Sequence, residues 1–281
     1  MLKFYILCLV LAVSQALPGN FYQYQHRSFP NPVFQKQKEW YVPTAPSIEE
    51  TYQFHALIAV NNGGFCGGIL VDADKVLTSA QCVIGGTNFE IHLNRRDLYD
   101  FDPSLNANEV LVSSSNSIVH PEFSSNHLQA INDLALLILD SPVGITPVIV
   151  GGQVFSDPLL TYIDVPLVGF GLTTDPDRQQ RSMQGYLQWY STHSKPISEC
   201  IGFNPGVDNT GKHVCAEATG PSACFGDPGS PLLQYVPGGM EVIGIASFGS
   251  STPCDNYGQT VFTYVRAYHD WLAQNGVPIA Q

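Results

Sequence analysis

Short runs in which apolar residues dominate, or alternate with polar ones, recur along most of the chain: 54–60, 68–71, 76–78, 110–119, 134–139, 162–170, 185–190, 240–247 and 261–264. Clusters of Gly, Pro, Asn, Asp and Ser separate them, so each run reads as a strand, and their spacing predicts an all-β barrel or sandwich. Helical periodicity is credible in one stretch, 265–274, where Val265, Tyr268, Trp271 and Leu272 share a face and Gly276 follows as a stop signal. No internal repeat is found, and a break near 146–152 divides the strands into two comparable sets. Residues 17–47 depart from this pattern. They carry Pro18, Pro30, Pro32, Pro43 and Pro46, many aromatics and no cysteine, and read as an extended segment. Packing of Phe21, Tyr22, Tyr24, Phe29, Phe34 and Trp40 onto a sheet is the other reading.

Composition narrows the class. Of 281 residues 44% are hydrophobic and 13% charged, enough apolar material for a sizeable core and too little charge for wholesale disorder. Twelve Lys and Arg against 24 Asp and Glu give a net charge of −12, the wrong sign for a nucleic-acid binder. The 25 glycines and 20 prolines imply many turns and no collagen-like period.

The N-terminus predicts the compartment. Lys3 precedes an apolar run at 4–13, and Ser14-Gln15-Ala16 ends it as a signal-peptidase site, so residues 1–16 read as a signal peptide. That run is about ten residues where a membrane span needs roughly twenty, so a secreted, extracellular protein without a membrane anchor is expected. Of seven cysteines Cys8 leaves with the leader. Cys66, Cys82, Cys200, Cys215, Cys224 and Cys254 remain, an even set that suggests three disulfides, although six cysteines allow fifteen connectivities. No Cys-x-x-Cys occurs, which disfavours metal ligation, and no metal or cofactor is expected.

Four motifs now become informative in order: Phe65-Cys66-Gly67-Gly68-Ile69-Leu70, Leu77-Thr78-Ser79-Ala80-Gln81-Cys82, Asn132-Asp133-Leu134-Ala135-Leu136-Leu137, and Cys224-Phe225-Gly226-Asp227-Pro228-Gly229-Ser230-Pro231-Leu232. Together they resemble the chymotrypsin-like serine peptidases, from about residue 48 to 272, with support from Gly169-Phe170-Gly171, Val214-Cys215-Ala216 and 244–249. Ser247-Phe248-Gly249-Ser250-Ser251 looks most like invertebrate digestive chymotrypsin or collagenase-type members. The resemblance implies two perpendicular six-stranded antiparallel β-barrels, one at about 48–147 and one at about 148–263, with a C-terminal helix at about 264–275. It also implies the disulfides Cys66–Cys82, Cys200–Cys215 and Cys224–Cys254.

Peptide hydrolysis on such a scaffold needs a hydroxyl nucleophile, an imidazole base, a carboxylate to orient it and backbone donors for the oxyanion. Where the family's Thr-Ala-Ala-His-Cys motif places the histidine, this chain has Gln81, whose carboxamide cannot serve as a base. Where Gly-Asp-Ser-Gly-Gly-Pro places the serine, it has Pro228, which has no hydroxyl and no backbone N–H. That N–H is one of the family's two oxyanion donors, the other belonging to Gly226 here. Asp133 keeps the carboxylate position and is expected to accept from Ser247 or Gln81. His120 and His127 read as ordinary surface histidines.

Activation signals are missing too. Ser47-Ile48-Glu49-Glu50 has no basic residue before it and no Val-Gly-Gly after it, so Asp227 lacks the usual new N-terminal ammonium as a partner. By resemblance Ser222 would line an uncharged specificity pocket, and Ser247, Phe248 and Gly249 would form an edge for an extended peptide. Asp97, Asp100 and Asp102 lie in the loop region where some relatives bind calcium, but no ligand signature is present, and a solvated acidic loop is expected.

The expected function is therefore a non-catalytic serine protease homologue that binds an extracellular protein or peptide, for example a protease or its substrate, as cofactor, decoy or adaptor. Two rivals remain: an active endopeptidase with a rearranged site built on Ser230 and a distant histidine, and a structural secreted protein without a specific ligand.

Overall fold

The computed structural model describes residues 52–60, 64–100, 102–126, 129–151, 164–170, 172–175, 180–183, 186–195, 199–200, 210–218, 228–236, 238–249 and 259–280. The signal-peptide and 17–47 readings, His127, Ser222, Cys224, Gly226, Asp227 and Cys254 lie outside these residues.

Nine strands precede the central break: β1 (His55–Val60), β2 (Gly64–Asp72), β3 (Lys75–Thr78), β4 (Phe89–Leu93), β5 (Val110–Ser114), β6 (Asn116–Val119), β7 (Ser124–Asn126), β8 (Gln129–Ile131) and β9 (Ala135–Ile138). Nine follow it among the described residues: β10 (Ile149–Val150), β11 (Asp164–Gly169), β12 (Leu172–Asp175), β13 (Gln180–Met183), β14 (Gln188–Lys195), β15 (His213–Ala218), β16 (Pro231–Val236), β17 (Gly239–Gly249) and β18 (Gln259–Tyr264). The all-β expectation and the division into two sets stand.

Each half forms a seven-stranded sheet where six antiparallel strands were expected. The first runs β5-β4-β1-β2-β3-β9-β6. Its two outer strands are the halves of one apolar run, 110–119, bent at Ser115, so six runs of chain supply seven strands. Ser114 secures the bend: its hydroxyl donates toward Ile138 O at 2.7 Å, with Asn116 O at 3.0 Å. The second sheet runs β10-β17-β16-β11-β14-β15-β18, and an extra β17–β18 pairing closes six of these strands into a ring. β10 is added outside the ring and pairs parallel to β17, the one departure from the expected antiparallel order in that sheet.

Both faces of the central strands are buried, which explains why they read as continuous apolar runs. Successive residues divide between two cores. Ile58, Leu70, Val76 and Leu137 fill the first barrel with Phe89, Ile91 and Leu93, while Leu57, Ile69, Leu77 and Leu136 face outward. The outward set meets Val168, Phe170, Leu233 and Ile245 of the second barrel in a shared core.

The predicted C-terminal helix starts as a 3-10 turn, Val265–Tyr268, and becomes α-helical only at α2 (His269–Gln274), α1 being Ala80–Val83. Its apolar residues explain the change. Val265, Tyr268 and Trp271 recur every third position, the spacing that keeps one face aligned in a 3-10 turn. Val265, Tyr268 and Leu272 are buried in the shared core. No helix among the described residues is long and apolar enough to cross a membrane.

Candidate functional site

Strand register brings the separate motifs together. β3 pairs with β9 so that Thr78 faces Ala135, which puts α1, just after β3, beside Asp133, just before β9. The Cys66–Cys82 disulfide ties α1 to β2. Thr78 Oγ1 donates to Gly67 O at 2.8 Å, closing the same corner.

From the other barrel comes β17. Its pairing with β18 slips between Ala246 and Phe248, a bulge that leaves Ser247 outside the regular ladder. The Ser247 hydroxyl donates to Asp133 Oδ2 at 2.5 Å. Pro228 N–H is absent by chemistry, but its carbonyl accepts from Gly67 N at 2.9 Å, and Gly229 N donates to Ala246 O at 2.8 Å. Gly229 adopts φ +89° with no room for a Cβ between Thr78 and Gly67, so this turn requires glycine.

At the centre is the Gln81 carboxamide. Nε2 donates to Asp133 Oδ2 at 2.5 Å and to Ser247 O at 2.9 Å, while Gln81 N donates to Asp133 Oδ1 at 3.0 Å. Ser247 O can only accept, so the amide orientation is dictated by chemistry. Asp133 thus accepts from both residues named as alternatives. Burial pushes its carboxyl above the ordinary value, and the hydrogen bonds from Ser247 and Gln81 pull the other way.

Asn132, which opens the third motif, and residues outside the motifs hold this carboxylate in place. Asn132 takes a left-handed conformation, φ 53°, and its side chain donates to Glu122 O at 2.8 Å. In return Asn132 Oδ1 accepts from Lys212 Nζ at 2.9 Å and from the Tyr268 hydroxyl at 3.1 Å. Thr263 Oγ1 donates to Asp133 O at 3.1 Å. An asparagine beside an acidic residue in a turn is the one local signal that could have found this arrangement.

The remaining candidates take diverse positions. Ser230 is 1% exposed, and its hydroxyl has no hydrogen-bond partner among the described residues and packs against Gly67. His120 is no plain surface histidine, because its ring lies 5.3 Å from both Tyr268 and Trp271, and this partial burial lowers its pKa. Phe248 is half-buried, edge-on to His213 at 5.9 Å, and Gly249 pairs with Thr260. The Cys200–Cys215 disulfide is present, as the resemblance implied.

The acidic loop is organised by internal donors. Asp97 accepts from the Tyr99 and Asp102 backbones, Asp102 caps the following turn through Ser104, and Asp100 accepts from Asn106 and Arg95. Arg95 also clasps both oxygens of Glu109. No group of three His, Cys, Asp or Glu residues among the described ones is arranged to hold a metal.

Residues 44–272 match the Trypsin family. The chain belongs to the trypsin-like serine protease family. Its trypsin-like domain is 33% identical over 212 residues to chymotrypsin-like elastase family member 1 of Macaca fascicularis, covering 74% of this chain and 77% of that protein. It is 32% identical over 209 residues to human kallikrein-12, with 74% and 79% covered. Among solved structures, neuropsin, a serine protease expressed in the limbic system of mouse brain, shares the trypsin-like fold at a TM-score of 0.63 and 23% identity. That alignment covers 81% of this chain and 96% of neuropsin.

Proposed function

We propose that this trypsin-family chain is a secreted, non-catalytic homologue that works by binding an extracellular peptide or protein, as a cofactor, decoy or adaptor. The observation that carries the reading is the Gln81 carboxamide, locked between Asp133 and Ser247 at the position where the family needs a titrating imidazole. Pro228, at the nucleophile position, has neither the hydroxyl nor the backbone N–H. In this family, loss of a triad member leaves a rate of about 10³–10⁴ over water, carried by the oxyanion hole and binding. Loss of a hole donor removes a further factor of about 10²–10³.

The docking line of this reading is Ser247, Phe248 and Gly249, which lie beyond the last β16 partner at Ile245, so this end of β17 is paired along one side, to β18, and an extended peptide would add along the other without any chemistry. Secretion is supported by the leader and by the two disulfides, which form and persist in oxidising compartments. Affinity with invertebrate digestive members rests on residues 247–251 alone.

A rearranged hydrolase is disfavoured by the buried Ser230 hydroxyl, which no histidine among the described residues reaches with a hydrogen bond. The deciding assay incubates the purified mature protein with chymotryptic, tryptic and elastolytic peptides and with a fluorophosphonate. Neither turnover nor labelling above a heat-killed control is expected, and either one overturns the proposal.

A further inference from the structure

We propose that the degenerate site selects ligands that donate a hydrogen bond, above all an ammonium carried on an extended peptide, rather than ligands that present a carbonyl or carboxylate. This rests on the peptide-binding reading above and specifies what the centre of that site recognises.

Apart from the Ser230 hydroxyl, which is sealed against Gly67 and out of a ligand's reach, the donors named at this corner already have acceptors. Both hydrogens of Gln81 Nε2 are committed, one to Asp133 and one to Ser247 O, and Gln81 N is committed to Asp133. The Ser247 hydroxyl is spent on Asp133. Gly67 N is spent on Pro228 O, Gly229 N on Ala246 O, and Thr78 Oγ1 on Gly67 O. Pro228 itself has no N–H, although it is exposed at the mouth of the site. Of the described residues named here, Gln81, Ser247, Thr78, Gly67 and Gly229 have their donors already used and Pro228 has none to offer a substrate carbonyl.

One acceptor remains on the central amide. Gln81 Oε1 has no partner among the described residues, and Gln81 is only partly buried, so this oxygen is open to a ligand. The two bonds on the nitrogen of the same amide, one of them to a carboxylate, polarise it and make Oε1 a stronger acceptor. Asp133 accepts from the nitrogen of the same amide, and the chain carries a net charge of −12, so a cationic donor gains Coulomb attraction while a carboxylate is repelled. The site of an acyl-transfer enzyme offers donors to a developing oxyanion. Here the offered group has the opposite polarity.

The test uses three peptides with one sequence, acetyl-Ala-Ala-Phe, ending in a carboxylate, a carboxamide or a primary amine in place of the carbonyl group. Their affinities are measured by calorimetry at constant ionic strength for the natural chain and for Gln81→Leu. The amine should bind about tenfold or more tighter than the carboxylate, the worth of one charge-assisted hydrogen bond, with the carboxamide between. In Gln81→Leu the preference should shrink by several-fold, to the part due to Asp133 and the net charge, because the Oε1 acceptor is gone. In the natural chain the amine should also shift the Gln81 side-chain amide resonances, a readout that stands even if the variant does not fold. Equal binding of all three, a preference unchanged in Gln81→Leu, or unmoved Gln81 resonances overturns donor selection and leaves peptide binding intact. Failure of all three to bind removes the peptide-binding reading and donor selection with it.

Discussion

Two buried polar side chains expose what single residues contribute. The Ser230 hydroxyl is sealed against Gly67 without a partner among the described residues, a condition that costs about 1–3 kcal/mol. Ser230→Ala should therefore raise stability by roughly 1 kcal/mol in urea unfolding, with probe labelling unchanged at background. A nucleophilic serine would behave in the opposite way. His55 is the second case. It is buried edge-on to Phe170 with Nε2 unpartnered among the described residues, and burial pushes its imidazole from 6.5 down to about 3. Its neutral form is the folded form, so its share of stability is complete above pH 6.5 and is lost as the pH falls toward 3. Across that window each pH unit costs about 1.4 kcal/mol from this residue alone. Thermal melts by circular dichroism should show a shallower acid slope for His55→Leu than for the natural chain, and identical slopes would refute the assignment.

Elements are legible where period and apolarity agree, and hidden where context decides. The runs at 54–60, 240–247 and 261–264 became β1, β17 and β18 with boundaries shifted by only a few residues. β4 escapes the pattern although Phe89, Ile91 and Leu93 alternate with Glu90 and His92, because its five residues follow a Gly-rich turn and carry a charge. β16 is masked by Pro231 at its first position, a place where a strand tolerates proline. β10 spans two residues and exists only because β17 offers it an edge. Of the site, Gln81, Asp133, Ser247 and Pro228 were legible from motif order. Asn132, Lys212 and Thr263 were not, because their role depends on a meeting of distant strands that no local pattern encodes. The tightest element contact also gives a prediction. A Cβ on Gly67 would lie 2.8 Å from both the backbone N and Cα of Ser230. Gly67→Ala should cost about 1–3 kcal/mol or more in urea unfolding, and Ser230→Gly should not fully rescue it, since the clash is with main chain.

At the scale of the whole molecule, the two barrels share one apolar core and meet above it in a polar corner to which each supplies half. Asp133 and Gln81 come from one barrel, Ser247 and Pro228 from the other. Base and nucleophile act as a unit in this family, so Gln81→His alone or Pro228→Ser alone should remain unlabelled by a fluorophosphonate. Labelling of either single variant would mean that a different group already completes the machinery. The corner at Ser115 has an effect on a larger scale. Because one bent run forms both rims of the first sheet, the seam there is shut by peptide linkage and by the Ser114 hydroxyl rather than by a full ladder. A protease nick or a long insertion at that single position would release both rims together, leaving two bare margins able to zip onto neighbouring molecules, so this hinge is where aggregation of the folded chain would begin.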